Sequence, residues 1–86
     1  MTADQIAAEM LRIYDAELTP LYRTLKTRRL EVRAEARRTG SRAGYAELTA
    51  LRNEIARLND RTIELRALLH SERRAELTGI PLVSVA

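Results

Sequence analysis

The chain is 86 residues long and contains no cysteine, so it has room for one small domain and neither disulfides nor thiolate metal sites to support it. Its 45% hydrophobic share includes no Phe and no Trp; the Leu, Ala and Ile that remain favour helices over strands. Charged residues make up 31% with a net charge of +3, which suits exposed helix faces, and no apolar run approaches the ~20 residues of a membrane helix.

Thr2-Ala3-Asp4-Gln5 has the form of a capping box, a hydroxyl followed three residues later by a side chain that reaches back. A first helix is therefore expected from about residue 3 to residue 38. Leu11, Tyr14, Leu18, Leu21, Leu25 and Val32 follow spacings of three and four with one miss at Arg28, which places them on a coiled-coil-like seam. Pro20 falls inside this helix; because Leu18, Leu21 and Leu25 keep phase across it, a kink is expected rather than a loop between two helices. A second apolar row, Ile6, Met10 and Ile13, lies beside the seam in the N-terminal half only.

Gly40 is expected to close the first helix in the left-handed conformation that a C-cap favours, within a turn over residues 39–44. Ser41 is the expected N-cap of the next helix, with Gly44 as the alternative. From about residue 45 to residue 77, Leu48, Leu51, Ile55, Leu58, Thr62, Leu65 and Leu69 alternate steps of three and four without a miss, and Gly79 and Pro81 give the stop. Folding the chain at Ser41 pairs positions whose numbers sum to about 83. Val32 then meets Leu51, Leu25 meets Leu58 and Leu18 meets Leu65. The predicted fold is all-α, an antiparallel two-helix hairpin over residues 1–79 that is kinked near Pro20 and joins a larger helical bundle. An apolar tail, residues 80–86, follows it.

Charge is distributed in blocks: residues 1–22 are net acidic, residues 23–42 carry the excess of positive charge, and the remainder balances. Lys26, Arg29, Arg33 and Arg37 recur at i,i+3 and i,i+4 spacing and form a row on one helix face. With Arg38 and Arg42 beside the turn, they are the candidates for contact with phosphate or an acidic partner. The plainer account of the row is a solvated face whose arginines pair with Glu31 and Glu35, and with Glu47 and Glu54 on the second helix.

Signals of catalysis are missing. His70 is the only histidine and has no second ligand at metal-binding spacing. Asp60 and Glu64 sit beside Arg57 and Arg61 and read as ion pairs rather than an acid/base couple, and Gly40 and Gly44 lack the Lys-Ser/Thr of a phosphate loop. The stretch Leu51-Arg52-Asn53-Glu54-Ile55 with Leu58, Asp60, Arg61 and Ile63 is faintly similar to the opening helix of the small all-helical chorismate mutases. The downstream Lys and the further helix with its Arg and Glu or Gln, which that family uses, have no counterpart, so no activity is carried over.

The sequence therefore points to a non-enzymatic interaction or assembly module, an adaptor or subunit without a cofactor, metal, membrane or small-molecule substrate. Its start, Met1-Thr2-Ala3-Asp4-Gln5, lacks the basic-then-apolar order of a signal peptide, so the chain is expected to be cytoplasmic or released from a cell without a leader. A domain this small commonly completes its core with another chain. The expected docking surface, toward a protein partner or a second copy, is the open end of the hairpin: Ile6, Met10, Ile13, Leu77, Ile80, Leu82, Val83 and Val85. The alternative is a small nucleic-acid-binding helical dimer that uses the basic row near the turn.

Overall fold

A computed structural model describes residues 1–79; the expectations for Ile80, Leu82, Val83 and Val85 lie outside the described residues. The protein is all-helical, without strands among the described residues. Helix α1 (Ala3–Arg12), a π-helical turn (Ile13–Leu18) and helix α2 (Thr19–Thr39) form one uninterrupted run, and helix α3 (Tyr45–Thr78) is the second. No helix among the described residues is long and apolar enough to cross a membrane.

The helix ends follow from local chemistry. The capping box forms: the Gln5 amide N–H donates to Thr2 Oγ1 at 3.1 Å, and Gln5 Oε1 accepts from the Thr2 N–H at 2.8 Å. At the other end of the run Gly40 adopts φ 74° and its N–H donates to the Ala36 carbonyl, an arrangement that a side chain would strain. The N-cap of α3 is Gly44 rather than Ser41. A Cβ placed on Gly44 would lie 2.5 Å from Val32 Cγ2, so the missing side chain lets the start of α3 approach α2. Ser41 serves the turn instead, its Oγ accepting from the Ala43 N–H at 3.3 Å.

Pro20 does not break the first run; Leu18 and Thr19 both keep right-handed helical angles. Proline lacks the N–H that would bond the Ala16 carbonyl, and its ring crowds that carbonyl. The chain responds with a wider turn just upstream, in which the Thr19 N–H donates to the Tyr14 carbonyl, five residues back.

That wide turn corrects the expected seam. The buried residues of the first run are Ala3, Ile6, Ile13, Leu18 and Val32, while Leu11 is 62% and Tyr14 36% exposed. Ile13 and Leu18 are five apart, one residue more than a regular helix allows on a single stripe, and the π turn absorbs the extra residue. Extending the α-helical phase backward from Leu18 would bury Tyr14 and Leu11; the π turn rotates α1 so that Ile13 and Ile6 are buried and Met10 partly buried in their place. Burying the larger apolar row is the more favourable outcome.

The main core cluster lies toward the N-terminal half of the first run, and Val32 and Leu48 are buried nearer the turn. Ile6, Ile13 and Leu18 pack with Ile55, Leu58 and Leu65 of α3, and Met10, Leu21, Leu25 and Leu69 lie partly buried around them. Thr62, the polar member of the α3 repeat, is 2% exposed. Its hydroxyl donates to the Asn59 carbonyl at 2.7 Å, so it needs no partner from the other helix.

Candidate functional site

Two rows of side chains flank this core on one side. On α2, Tyr22, Lys26, Arg29, Arg33 and Arg37 succeed one another at steps of three and four. On α3, Tyr45, Thr49, Arg52, Ala56, Asn59, Ile63, Arg66, His70 and Arg73 do the same without a miss. Two hydrogen bonds tie the sides together: Asn59 Nδ2 donates to the Tyr22 hydroxyl at 3.2 Å, and the Arg66 guanidinium donates to the Tyr14 hydroxyl at 3.5 Å. Tyr14 and Tyr22 are eight residues apart, two turns when one of them is the π turn, so the wide turn aligns them. Neither row contains a carboxylate.

The other side of the molecule is built differently. Arg12 binds Glu9 at 2.6 Å and Glu17 at 3.2 Å, the second pair spanning the π turn. Arg28 binds both Glu31 and, from α2 to α3, Glu47 at 2.7 Å. Arg38 pairs with Glu35, Arg57 with Glu54, and Arg61 with Glu64 at 3.3 Å. Hydrogen bonds from Arg28 hold the Glu47 carboxyl below its ordinary pKa, and Arg12 does the same to Glu9. The guanidinium of Arg28 is in turn raised, first by Glu47 and then by Glu31.

The basic residues are thereby sorted. Among the described residues the ion pairs use Arg12, Arg28, Arg38, Arg57 and Arg61, whereas Lys26, Arg29, Arg33, Arg37, Arg52, Arg66 and Arg73 of the two rows enter none, nor do Arg23, Arg42 and Arg74 outside them. Glu31, Glu35, Glu47 and Glu54, which the plainer account assigned to the basic row, are engaged by Arg28, Arg38 and Arg57 instead. Their positions point them to the opposite face, out of reach of Lys26, Arg29, Arg33 and Arg37.

Of the candidate phosphate contacts, Lys26, Arg29, Arg33 and Arg37 come together on one exposed face. Arg38 lies on the other face with Glu35, and Arg42 sits in the turn, its carbonyl accepting from the Tyr45 N–H at 3.2 Å. Of the expected docking residues, Ile6 and Ile13 are 1% and 2% exposed and have no surface to offer a partner. Met10 packs against the same cluster, and Leu77 is 85% exposed. On the tyrosine side Leu11, Ile63 at 59% and Leu77 are exposed apolar side chains, and Leu30, 62% exposed, lies beside Lys26 and Arg33 on α2. Sequence reasoning passed over Tyr22, Tyr45, Arg52, Ile63 and Arg66. The signal was available in the acid-free repeat that starts at Tyr45.

His70 lines a shallow hollow with Met10, Arg66, Leu69 and Arg73. No group of three His, Asp or Glu among the described residues is placed to hold a metal ion. In comparisons with known proteins, no family model, no curated sequence and no solved structure matches this chain.

Proposed function

We propose that the chain is a non-enzymatic assembly module: an antiparallel helical hairpin, bent at its π turn, that joins a second copy of itself into a larger helical bundle. The antiparallel arrangement is supported by the order of the bonds between the runs. As the residue number rises from Tyr14 through Tyr22 to Arg28, the partner's number falls from Arg66 through Asn59 to Glu47. The turn at residues 40–44 is the bend of that hairpin.

The observation that carries the association is the exposure of Leu11 and Ile63, at 62% and 59%, on the side where Tyr14 and Tyr22 are also exposed. The rest of the molecule supplies the motive. The protein measures 63 × 25 × 13 Å, a single layer of helices in which each buries one stripe, and a small domain of this kind lacks a second layer against which to bury more. A second copy supplies that layer through the same patch, as a two-fold contact requires. The association surface thus reaches from the open end to the middle of the hairpin and uses Leu11, Tyr14, Ile63 and Leu77 in place of Ile6, Met10 and Ile13. An aqueous compartment such as the cytoplasm suits this reading.

Replacing Leu11 and Ile63 together by Glu tests it. The parent is expected to run as a dimer or larger species by light scattering, and the double variant as a helical monomer. Met10→Glu with Ile13→Glu is expected to unfold the chain rather than dissociate it. A parent that stays monomeric across micromolar to millimolar concentration, or an L11E/I63E variant of unchanged mass, would overturn the association.

A further inference from the structure

The turn-proximal half of the tyrosine side has a different character from the half proposed for association. Between Tyr22 and Arg37 on α2, and between Tyr45 and Arg52 on α3, the two rows contain neither a carboxylate nor an aliphatic side chain, and Leu30 is the large exposed aliphatic residue beside them. Lys26, Arg29, Arg33, Arg37 and Arg52 enter no ion pair. Helix rise sets them about 4.5 to 6 Å apart along α2, close enough for one ligand to meet all of them. On the opposite face Arg28, Arg38 and Arg57 engage Glu31, Glu35, Glu47 and Glu54, so the lack of partners here reflects the placement of the nearby acids and not a shortage of them.

We infer that this half-face binds single-stranded nucleic acid, with phosphates on Lys26, Arg29, Arg33, Arg37 and Arg52 and bases stacked on Tyr22 and Tyr45. Unpaired cations in a row attract an extended polyanion and release its counterions on contact. Guanidinium groups match phosphate oxygens in a fork that ammonium groups do not. The tyrosines select the form of the ligand: Tyr22 is 50% and Tyr45 40% exposed, and exposed rings offer stacking platforms to unpaired bases, whose faces a duplex hides. An anionic membrane is the less fitting partner, because Leu30, 62% exposed beside Lys26 and Arg33, is a single large aliphatic side chain and supplies far less apolar surface than the stripe an interfacial helix inserts between lipids. The two surfaces meet at Tyr22, whose hydroxyl accepts from Asn59 one helical turn from Ile63, while Tyr45 and the unpaired cations lie nearer the turn.

The test compares two charge reversals of equal size on the full chain. K26E/R29E/R33E changes the unpaired row, and R38E/R57E/R61E changes the paired face; circular dichroism verifies that both remain helical. Binding to fluorescent single-stranded DNA and RNA oligonucleotides, the matching duplexes, and phosphatidylserine vesicles is measured at about 0.1 M salt. At that ionic strength the Debye length is about 10 Å, so charges on the opposite face are largely screened from the ligand.

The row variant is expected to lose single-strand affinity by more than about tenfold, with the slope of log K against log salt falling by about 0.7 for each lost contact. The paired-face variant is expected to stay within about threefold of the parent. Y22L/Y45L is expected to lose about tenfold or more, while Y22F/Y45F, which keeps the rings, stays near the parent. Equal losses from the two charge reversals would overturn the inference. So would duplex or vesicle binding as tight as single-strand binding, or full retention of binding in Y22L/Y45L.

Discussion

The two sides of this protein use the same residue type in opposite ways. On one side, arginines and glutamates alternate and engage one another, within a helix in most pairs and between α2 and α3 in Arg28–Glu47. On the other, cations stand among tyrosines with no carboxylate in their rows. The difference shows that the excess of positive charge is concentrated by arrangement more than by composition, since nearly every carboxylate near the turn is drawn to the paired side. The same π turn aligns both sides: it brings Arg12 to Glu17 on one and Tyr14 into line with Tyr22 on the other.

The largest way to break this contrast is through the core that separates the two sides. Ile13 is buried between α1 and α3 at the start of the π turn, and Ile13→Ala is expected to cost about 2–5 kcal/mol, measured by urea unfolding. Leu11→Ala, one of the residues the sequence placed on the seam, is expected to cost well under 1 kcal/mol in the monomer. A reversal of that order would restore the uninterrupted seam.

Gly44→Ala comes next. The added methyl meets Val32, and overpacking of this kind costs about 1–3 kcal/mol. The paired and unpaired rows both depend on how closely α3 approaches α2 here, so the change is expected to loosen Arg28–Glu47 as well. Val32→Ala in the same chain is expected to recover part of the loss, read as a rise in melting temperature over the single Gly44 variant.

The mildest effect is that of acid. Glu47 and Glu9 have carboxyls held below their ordinary values by Arg28 and Arg12. A depressed folded-state pKa contributes stability that is present above the ordinary carboxylate pKa and is lost as the pH falls through the folded value. Melting temperature is expected to decline as pH drops from about 6 to about 3, and Arg28→Gln is expected to flatten part of the decline. The decline is expected to be small because both pairs are exposed and solvent-screened.

Much of the fold could be read before any coordinates. The capping box at Thr2 and Gln5, the left-handed Gly40 and the unbroken α3 repeat each rest on chemistry within a few residues. The phase of α1 does not. Counting at steps of three and four assumes 3.6 residues per turn, and that assumption carried Leu11 and Tyr14 into the core and left Ile6, Met10 and Ile13 outside. The step of five between Ile13 and Leu18, just ahead of Pro20, was the visible trace of the wide turn. The pairing of the arginines was less legible still. Glu31 and Glu35 each have several basic neighbours within one helical turn, and which one engages them depends on the face, which depends in turn on the phase.

The dependence of core and faces on one extra residue can be tested by removing it. In a Pro20→Ala background, deletion of Ala16 sets Ile13 and Leu18 four apart, so a regular α-helix keeps both the core row and the alignment of Tyr14 with Tyr22. Deletion of Ala56 from α3 serves as the comparison, because it moves Leu58, Thr62 and Leu65 out of phase with Leu48 and Ile55. By circular dichroism, the Ala16 deletion is expected to stay helical and melt cooperatively within a few degrees of its Pro20→Ala parent, while the Ala56 deletion loses cooperative melting. Equal damage from both deletions would contradict the role given to the π turn.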